Sequence, residues 1–266
     1  MFKLALQDIW GGLSKYQYWC YMAWQEIVIR YRRSVLGPFW ITASTAIYII
    51  AISVIFSALF NQDIKHYLLY MTLGILTWNF MSQCIVESTD AFIANAGFIK
   101  QVPLEKSVFI YQTIMRNVYF FLHNFILIVI CLTFLESKIT IYGVSKSIFG
   151  FGILVVNLTA FSFLLATICT RFMDLRQIIY SVIQIVFMVT PIMWIPNEGM
   201  RKRAFIIDYN PVFHFIDFIR RPLLPDSFPV AITQPNFRFI VIFTFVNLCM
   251  SFLVFAKSRR NIAYWV

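Results

Sequence analysis

Apolar stretches with almost no charge alternate along this 266-residue chain with short segments that carry Lys and Arg. An apolar run of about 18 residues or more spans the roughly 30 Å hydrocarbon layer of a membrane when helical. Six such runs are found, at 38–60, 67–86, 107–135, 147–170, 177–195 and 239–256. The third is charge-free from residue 118 and extends back to 107 across Arg116. The pattern predicts an all-α membrane protein, with one transmembrane domain over 1–266 built on six spans.

Three segments between the spans have patterns of their own. In 14–36, Tyr16, Cys20, Trp24, Ile27 and Tyr31 recur at helical spacing, with Glu26, Arg30 and Arg33 opposite. Aromatics facing away from arginines suit an N-terminal helix lying in the cytoplasmic headgroup layer. The competing reading, a buried first helix of the bundle, is made expensive by Arg30, Arg32 and Arg33. Segment 90–106 places Phe92, Ile93, Phe98, Ile99 and Val102 among Asp90, Lys100, Glu105 and Lys106, and Pro103 stops it. It reads as a short amphipathic helix that a soluble partner can grip, or else as a solvated linker. Segment 196–238 holds six of the nine prolines, with Phe205, Tyr209, Phe213, Phe215 and Phe218 among them. It is too apolar for a free loop and too broken for a span. Short re-entrant external helices between spans five and six satisfy both facts; an external subdomain is the alternative.

Composition sharpens this picture. Hydrophobic residues make up 60% of the chain and charged residues 13%, about half the charged fraction of a soluble domain. The mean hydropathy is +0.75. The net charge of +10 does not point to nucleic acid, because the cations lie between the apolar runs, where membrane topology is written. With the N-terminus cytoplasmic, thirteen of the 22 basic residues fall inside, and Lys65, Lys138 and Lys146 fall in short outside loops. Both termini are therefore expected inside. The five cysteines are scattered without C-x-x-C spacing and suggest neither a metal site nor a disulfide framework. The first residues are too short and polar for a cleavable leader.

The chemistry that is missing also narrows the function. No phosphate-cradling glycine motif is present, so nucleotide is not expected to bind this chain. His66, His123 and His214 are isolated; His123, inside an apolar run, is a candidate functional group or a hydrogen-bonded bundle histidine. The spans almost lack Asp, Glu, Lys and Arg, the usual carriers of ion-coupled transport. A separate ATPase is then the economical source of energy. A membrane enzyme acting on lipid-linked sugar would want paired carboxylates, and no constellation surrounds Asp90 or Asp174.

Five fragments bring a family into view. Arg30-Tyr31-Arg32-Arg33-Ser34-Val35-Leu36-Gly37-Pro38-Phe39-Trp40 resembles the start of the first span in ABC type-2 permeases of polysaccharide exporters (the O-antigen, capsule and teichoic acid class, Wzm and TagG type). Asn95 through Pro103 is similar to that family's coupling-helix stretch, without the aromatic that precedes its proline. Arg171-Phe172-Met173-Asp174-Leu175 resembles its turn before the fifth span, with Met173 in place of an arginine. Thr190-Pro191-Ile192 and Asn210-Pro211 resemble the end of that span and the start of the external return. The resemblance runs in order along the whole chain.

It implies a homodimer carrying two copies of an ABC ATPase subunit, which binds ATP and Mg, and no cofactor, metal or catalytic residue in this chain. Lipid-linked polysaccharide is the implied cargo; a lipid, teichoic acid or drug exporter of the same superfamily is the rival. In the family, spans one and five line the channel. Aromatic faces hold sugar rings while tolerating sliding, which makes Tyr31, Phe39, Trp40, Tyr48, Phe56, Tyr180, Phe187 and Trp194 candidates for the path; packing against lipid or core is the plainer role for each. Arg30, Arg32 and Arg33 are placed to meet either a polyprenyl pyrophosphate or anionic membrane lipid. Phe92, Asn95, Phe98, Ile99 and Lys100 are assigned to coupling with the ATPase, and Pro191, Pro196, Asn210 and Pro211 to an external gate.

Overall fold

The computed structural model describes residues 1–35, 37–134, 140–196, 205–225 and 234–266. Leu36, Lys138 and the 197–204 and 226–233 parts of the predicted external segment, with Pro229, lie outside them. Among the described residues the chain is helical, with no strand. Five helices are long and apolar enough to cross a membrane: α3 (Phe39–Leu59), α4 (Ile64–Ser88), α6 (Ser107–Phe134), α7 (Ile141–Arg171) and α11 (Phe237–Ser258). Local chemistry sets their starts. Asp63, Thr140 and Asn236 each accept a hydrogen bond from a backbone N–H of the first turn of α4, α7 and α11.

The fifth predicted span differs. Helix α8 covers only Leu175–Val189, about 22 Å at 1.5 Å per residue. It ends before Pro191, whose ring and missing N–H oppose continuation, and the chain continues non-helical through Ile195. The fourth span begins six residues earlier than predicted, because Thr140 caps it and Lys146 is accommodated over the Phe218 ring, 5.3 Å from its centroid.

Helix α4 is the hub. It packs against α3, α6, α7 and α10 (Pro211–Arg220), and fifteen of its residues are buried, against three of α3. Helix α10 is buried from Phe213 through Arg220 among α4, α7 and α11. Gly150 of α7 permits this, since a Cβ there would lie 2.6 Å from the Phe218 ring. A polar seam joins α7 to α11: Asn157 donates to Thr244 at 3.1 Å, and Asn247 donates to the Asn157 carbonyl at 2.9 Å.

The N-terminal region is two helices, α1 (Phe2–Ser14) and α2 (Tyr16–Tyr31). Helix α1 lies across the ends of α6 and α11. Buried Asp8 accepts from Arg259 at 2.5 Å and from the Ser107 backbone at 3.0 Å, and Phe2 stacks on Phe252. Lys15 pairs with Glu105 at 2.5 Å. Burial raises the Glu105 carboxyl, but the Lys15 hydrogen bond, a backbone bond and the nearby cations outweigh it and hold it below the usual carboxylate range. This contact is therefore present above the ordinary carboxylate range and fades as pH falls through the lowered value.

Helix α2 lies along α6. Of the expected stripe only Ile27 is buried, while Tyr16 and Trp24 are exposed. Glu26, expected on the outer face, turns inward to pair with Arg116, which also binds Glu87 at 2.8 Å. Asn117 adds a 2.6 Å bond to Glu87. The ion cluster sets the rotation of α2, because a partly buried Arg116 requires its carboxylates.

Candidate functional site

The site lies between α3 and α8, against α4. No residue of α8 is buried, and α3 buries only Ile49, Ser53 and Ser57. Between them a cavity of about 360 Å³ is lined by Ser44, Thr45, Tyr48, Ile75, Trp78, Asn79 and Phe187. Two predicted path aromatics, Tyr48 and Phe187, meet here, and Phe187 packs on Trp78 with centroids 5.4 Å apart. Hydroxyls, one carboxamide and ring faces form this wall, with no charged side chain among the described residues. Such a surface hydrogen-bonds hydroxyls and stacks on apolar C–H faces without gripping an ion.

The other predicted path residues divide. Phe39, Trp40 and Tyr180 are exposed on the same two helices, outside the cavity lining. Phe56 packs into the main core beside Phe60, and Tyr31 sits at the end of α2. Trp194 belongs to the non-helical segment after α8, and its indole donates to the Met188 carbonyl at 3.3 Å. Arg32 and Arg33 are exposed beyond α2, and Arg30, also exposed, lies 5.4 Å from the centroid of the Phe120 ring of α6.

The segment after α8 is held by a buried polar cluster that the sequence reading missed. Arg220, at 0% exposure, donates to Asp217 at 3.0 Å and lies 3.8 Å from the centroid of the Tyr70 ring. It also reaches the Pro191 and Ile192 carbonyls at 3.4 and 3.5 Å. Arg221 binds the other oxygen of Asp217 at 2.7 Å. Tyr70 donates to the Trp194 carbonyl at 3.0 Å, and Tyr67 donates to that of Met193. Gly74 leaves the room: a Cβ there would lie 3.1 Å from both the Arg220 guanidinium and the Ile192 carbonyl. The predicted gate residues frame this cluster. Pro191 and Pro196 are buried. Asn210 caps α10 through Val212 and Phe213 and donates to Thr190 at 2.8 Å, with Pro211 at the first helical position. A signal was present in the sequence: Asp217 stands three and four residues before Arg220 and Arg221, helical pairing distances inside an apolar segment.

At the opposite end, the predicted coupling helix is shorter than 90–106. Turns lead into α5, Ala96–Gln101, none of whose residues is buried. Phe98 is 51% exposed, with Lys100 and Val102 exposed beside it. Phe92 is instead fully buried in a core with Phe109 and Phe255, so its part is to anchor the turn. Ile99 packs against that core, and Asn95 donates to the Ala91 carbonyl at 2.9 Å. Asp90 pairs with Arg176 of α8, joining this turn to the helix that walls the cavity.

A multi-helix membrane bundle with a charge-free polar cavity and a projecting exposed helix suits a membrane transport subunit. Residues 17–224 match the model of the ABC-2 type transporter family, and the chain belongs to that family. It is similar to two O-antigen export system permease proteins RfbA of Klebsiella pneumoniae. One is 27% identical over 201 residues, covering 72% of this chain and 74% of the relative. The other is 26% identical over 199 residues, with the same coverage.

Proposed function

We propose that this permease is the channel-forming half of an ATP-driven exporter that moves polyprenyl-pyrophosphate-linked, O-antigen-like polysaccharide out of the cytoplasm. Two copies pair through the uncovered α3 and α8 faces, and each carries one ATPase subunit docked on α5. Helix α8 with the clamped 190–195 segment serves as a sixth span, and α9 (Phe205–Asp208) and α10 form the external re-entrant gate. Both termini then face the cytoplasm. Arg32 and Arg33 meet phosphate at the inner surface, whether of the carrier or of membrane lipid.

The observation that carries this reading is the cavity between α3 and α8, lined by Ser44, Thr45, Tyr48, Trp78, Asn79 and Phe187. A neutral polymer needs hydroxyl and ring contacts that re-form at each sugar, and a charge-free aromatic-polar wall supplies them. In cells that make a lipid-linked O-polysaccharide but lack its exporter, this chain with its ATPase is expected to restore surface polymer. Tyr48→Ala is expected to lower the export rate about tenfold, one ring contact's worth of ~1.4 kcal/mol, with membrane levels unchanged because Tyr48 is 44% exposed. Normal export by Tyr48→Ala would remove the path assignment; failure of the wild-type pair to export would remove the cargo.

A further inference from the structure

A second, larger cavity lies on another side of the bundle, away from the α3 and α8 faces. It measures about 760 Å³ and is walled by α6, α7 and α11, with Leu13, Trp19, Ala160, Phe163, Cys249 and Phe252 among its lining residues. No charged side chain lines it among the described residues. Its walls are membrane-spanning helices, so what reaches it sideways is the bilayer. Along α11 the lining runs from Leu248 to Phe255, and along α7 from Val155 to Phe163. Seven or eight residues of helix rise about 10–12 Å, most of the ~15 Å depth of one leaflet's hydrocarbon. Ile9, Trp10 and Leu13 of α1 line it as well, at the end where α1 crosses α6 and α11.

That end is basic. Lys3 on α1, Lys15 just after it, Lys106 before α6, and Lys257, Arg259 and Arg260 at the end of α11 lie at that end. Asp8 and Glu105 offset two of them, through the Arg259 and Lys15 pairs. Lys3, Lys257 and Arg260 are exposed. A one-leaflet apolar slot beneath a cationic rim matches one molecule: an acyl chain below an anionic headgroup.

We propose that this cavity binds an anionic phospholipid of the leaflet at the chain's termini, its acyl chain lying between α1, α6, α7 and α11 and its headgroup on the basic rim. The lipid fills space that the side chains leave and fastens α1 to the bundle. The site is separate from the proposed polymer path, and its test does not require transport.

The test is native mass spectrometry of the purified full chain, after reconstitution in vesicles of phosphatidylcholine with one third phosphatidylglycerol and re-extraction in mild detergent. One phosphatidylglycerol per chain is expected to remain bound, enriched over phosphatidylcholine. A surface cation contributes ~1 kcal/mol to anionic lipid attraction, about fivefold in affinity. Lys3→Glu with Arg260→Glu, both at exposed positions, is therefore expected to erase the headgroup preference while leaving helix content unchanged. Ala160→Phe, which fills the slot, is expected to abolish retention of either lipid. Three outcomes overturn the proposal: no retained phospholipid on the wild-type chain, equal retention of the two headgroups, or retention undisturbed by Ala160→Phe. Retention of a polyprenyl species in its place on protein purified directly from cells would also overturn it and assign the slot to the transported carrier.

Discussion

Arg220→Met is expected to abolish export and to lower the thermal midpoint of the purified permease by on the order of 10 °C. The side chain is fully buried, and its partner Asp217 is nearly so. Removing one member of a buried ion pair costs about 3–5 kcal/mol, because the charge left behind stays desolvated. In a protein of this size ~1 kcal/mol moves the midpoint by about 2–4 °C. Arg221 still binds Asp217 in the variant, which places the loss toward the lower end of that range. Export suffers beyond stability, because the Pro191 and Ile192 carbonyls lose their guanidinium donor and the Tyr70 ring its cation. These contacts fix the segment that ends α8. Arg220→Lys is expected to recover part of the midpoint and little of the export: a point charge cannot serve Asp217, two carbonyls and a ring face together. Midpoint and polymer export measured on the same preparations check this. A Met variant with wild-type values of both would show that the cluster is packing without consequence.

Phe98→Ala is expected to weaken capture of the ATPase subunit about thirtyfold and to uncouple its hydrolysis from export, with the permease's own stability unchanged. Phe98 is half exposed on a helix with no buried residue, so truncation costs the fold little. An aromatic that inserts into a partner's pocket commonly contributes ~2 kcal/mol or more to the complex, which is about thirtyfold. Phe92→Ala acts differently. It excavates the core around Phe109 and Phe255 and destabilises the permease itself by about 3–5 kcal/mol. Affinity capture with the ATPase, scored beside the melting midpoint, separates the two. Undiminished capture and normal substrate-stimulated hydrolysis in Phe98→Ala would place the ATPase elsewhere.

The contrast between these two phenylalanines shows what the sequence could and could not convey. Apolar length and charge spacing located all five long helices, because a bilayer imposes one requirement that residues 38–60 or 239–256 meet by themselves. The projecting segment was legible from its composition, but which of Phe92 and Phe98 turned inward was not. That choice depends on Phe109 and Phe255, far along the chain. The inward turn of Glu26 was missed for a related reason: spacing along one helix does not show that Arg116, on another, needs its carboxylate. The early end of α8 was half visible in Thr190-Pro191. In the cavity, Tyr48 and Phe187 were found because aromatics stand out, whereas Ser44, Thr45 and Asn79 resemble ordinary span residues until α4 is placed behind α3. Arg220 was overlooked among six cations of the external segment, although the Asp217 spacing distinguished it.

On the proposed function, this chain is a conduit whose motor lies in another polypeptide. The most direct measurement is ATP hydrolysis and polymer movement in proteoliposomes holding the purified permease alone, compared with the same vesicles after its ATPase subunit is added. The permease alone is predicted to show neither, with or without an imposed ion gradient, and the pair to show both. Nucleotide hydrolysis or gradient-driven polymer movement by the permease alone would contradict the account.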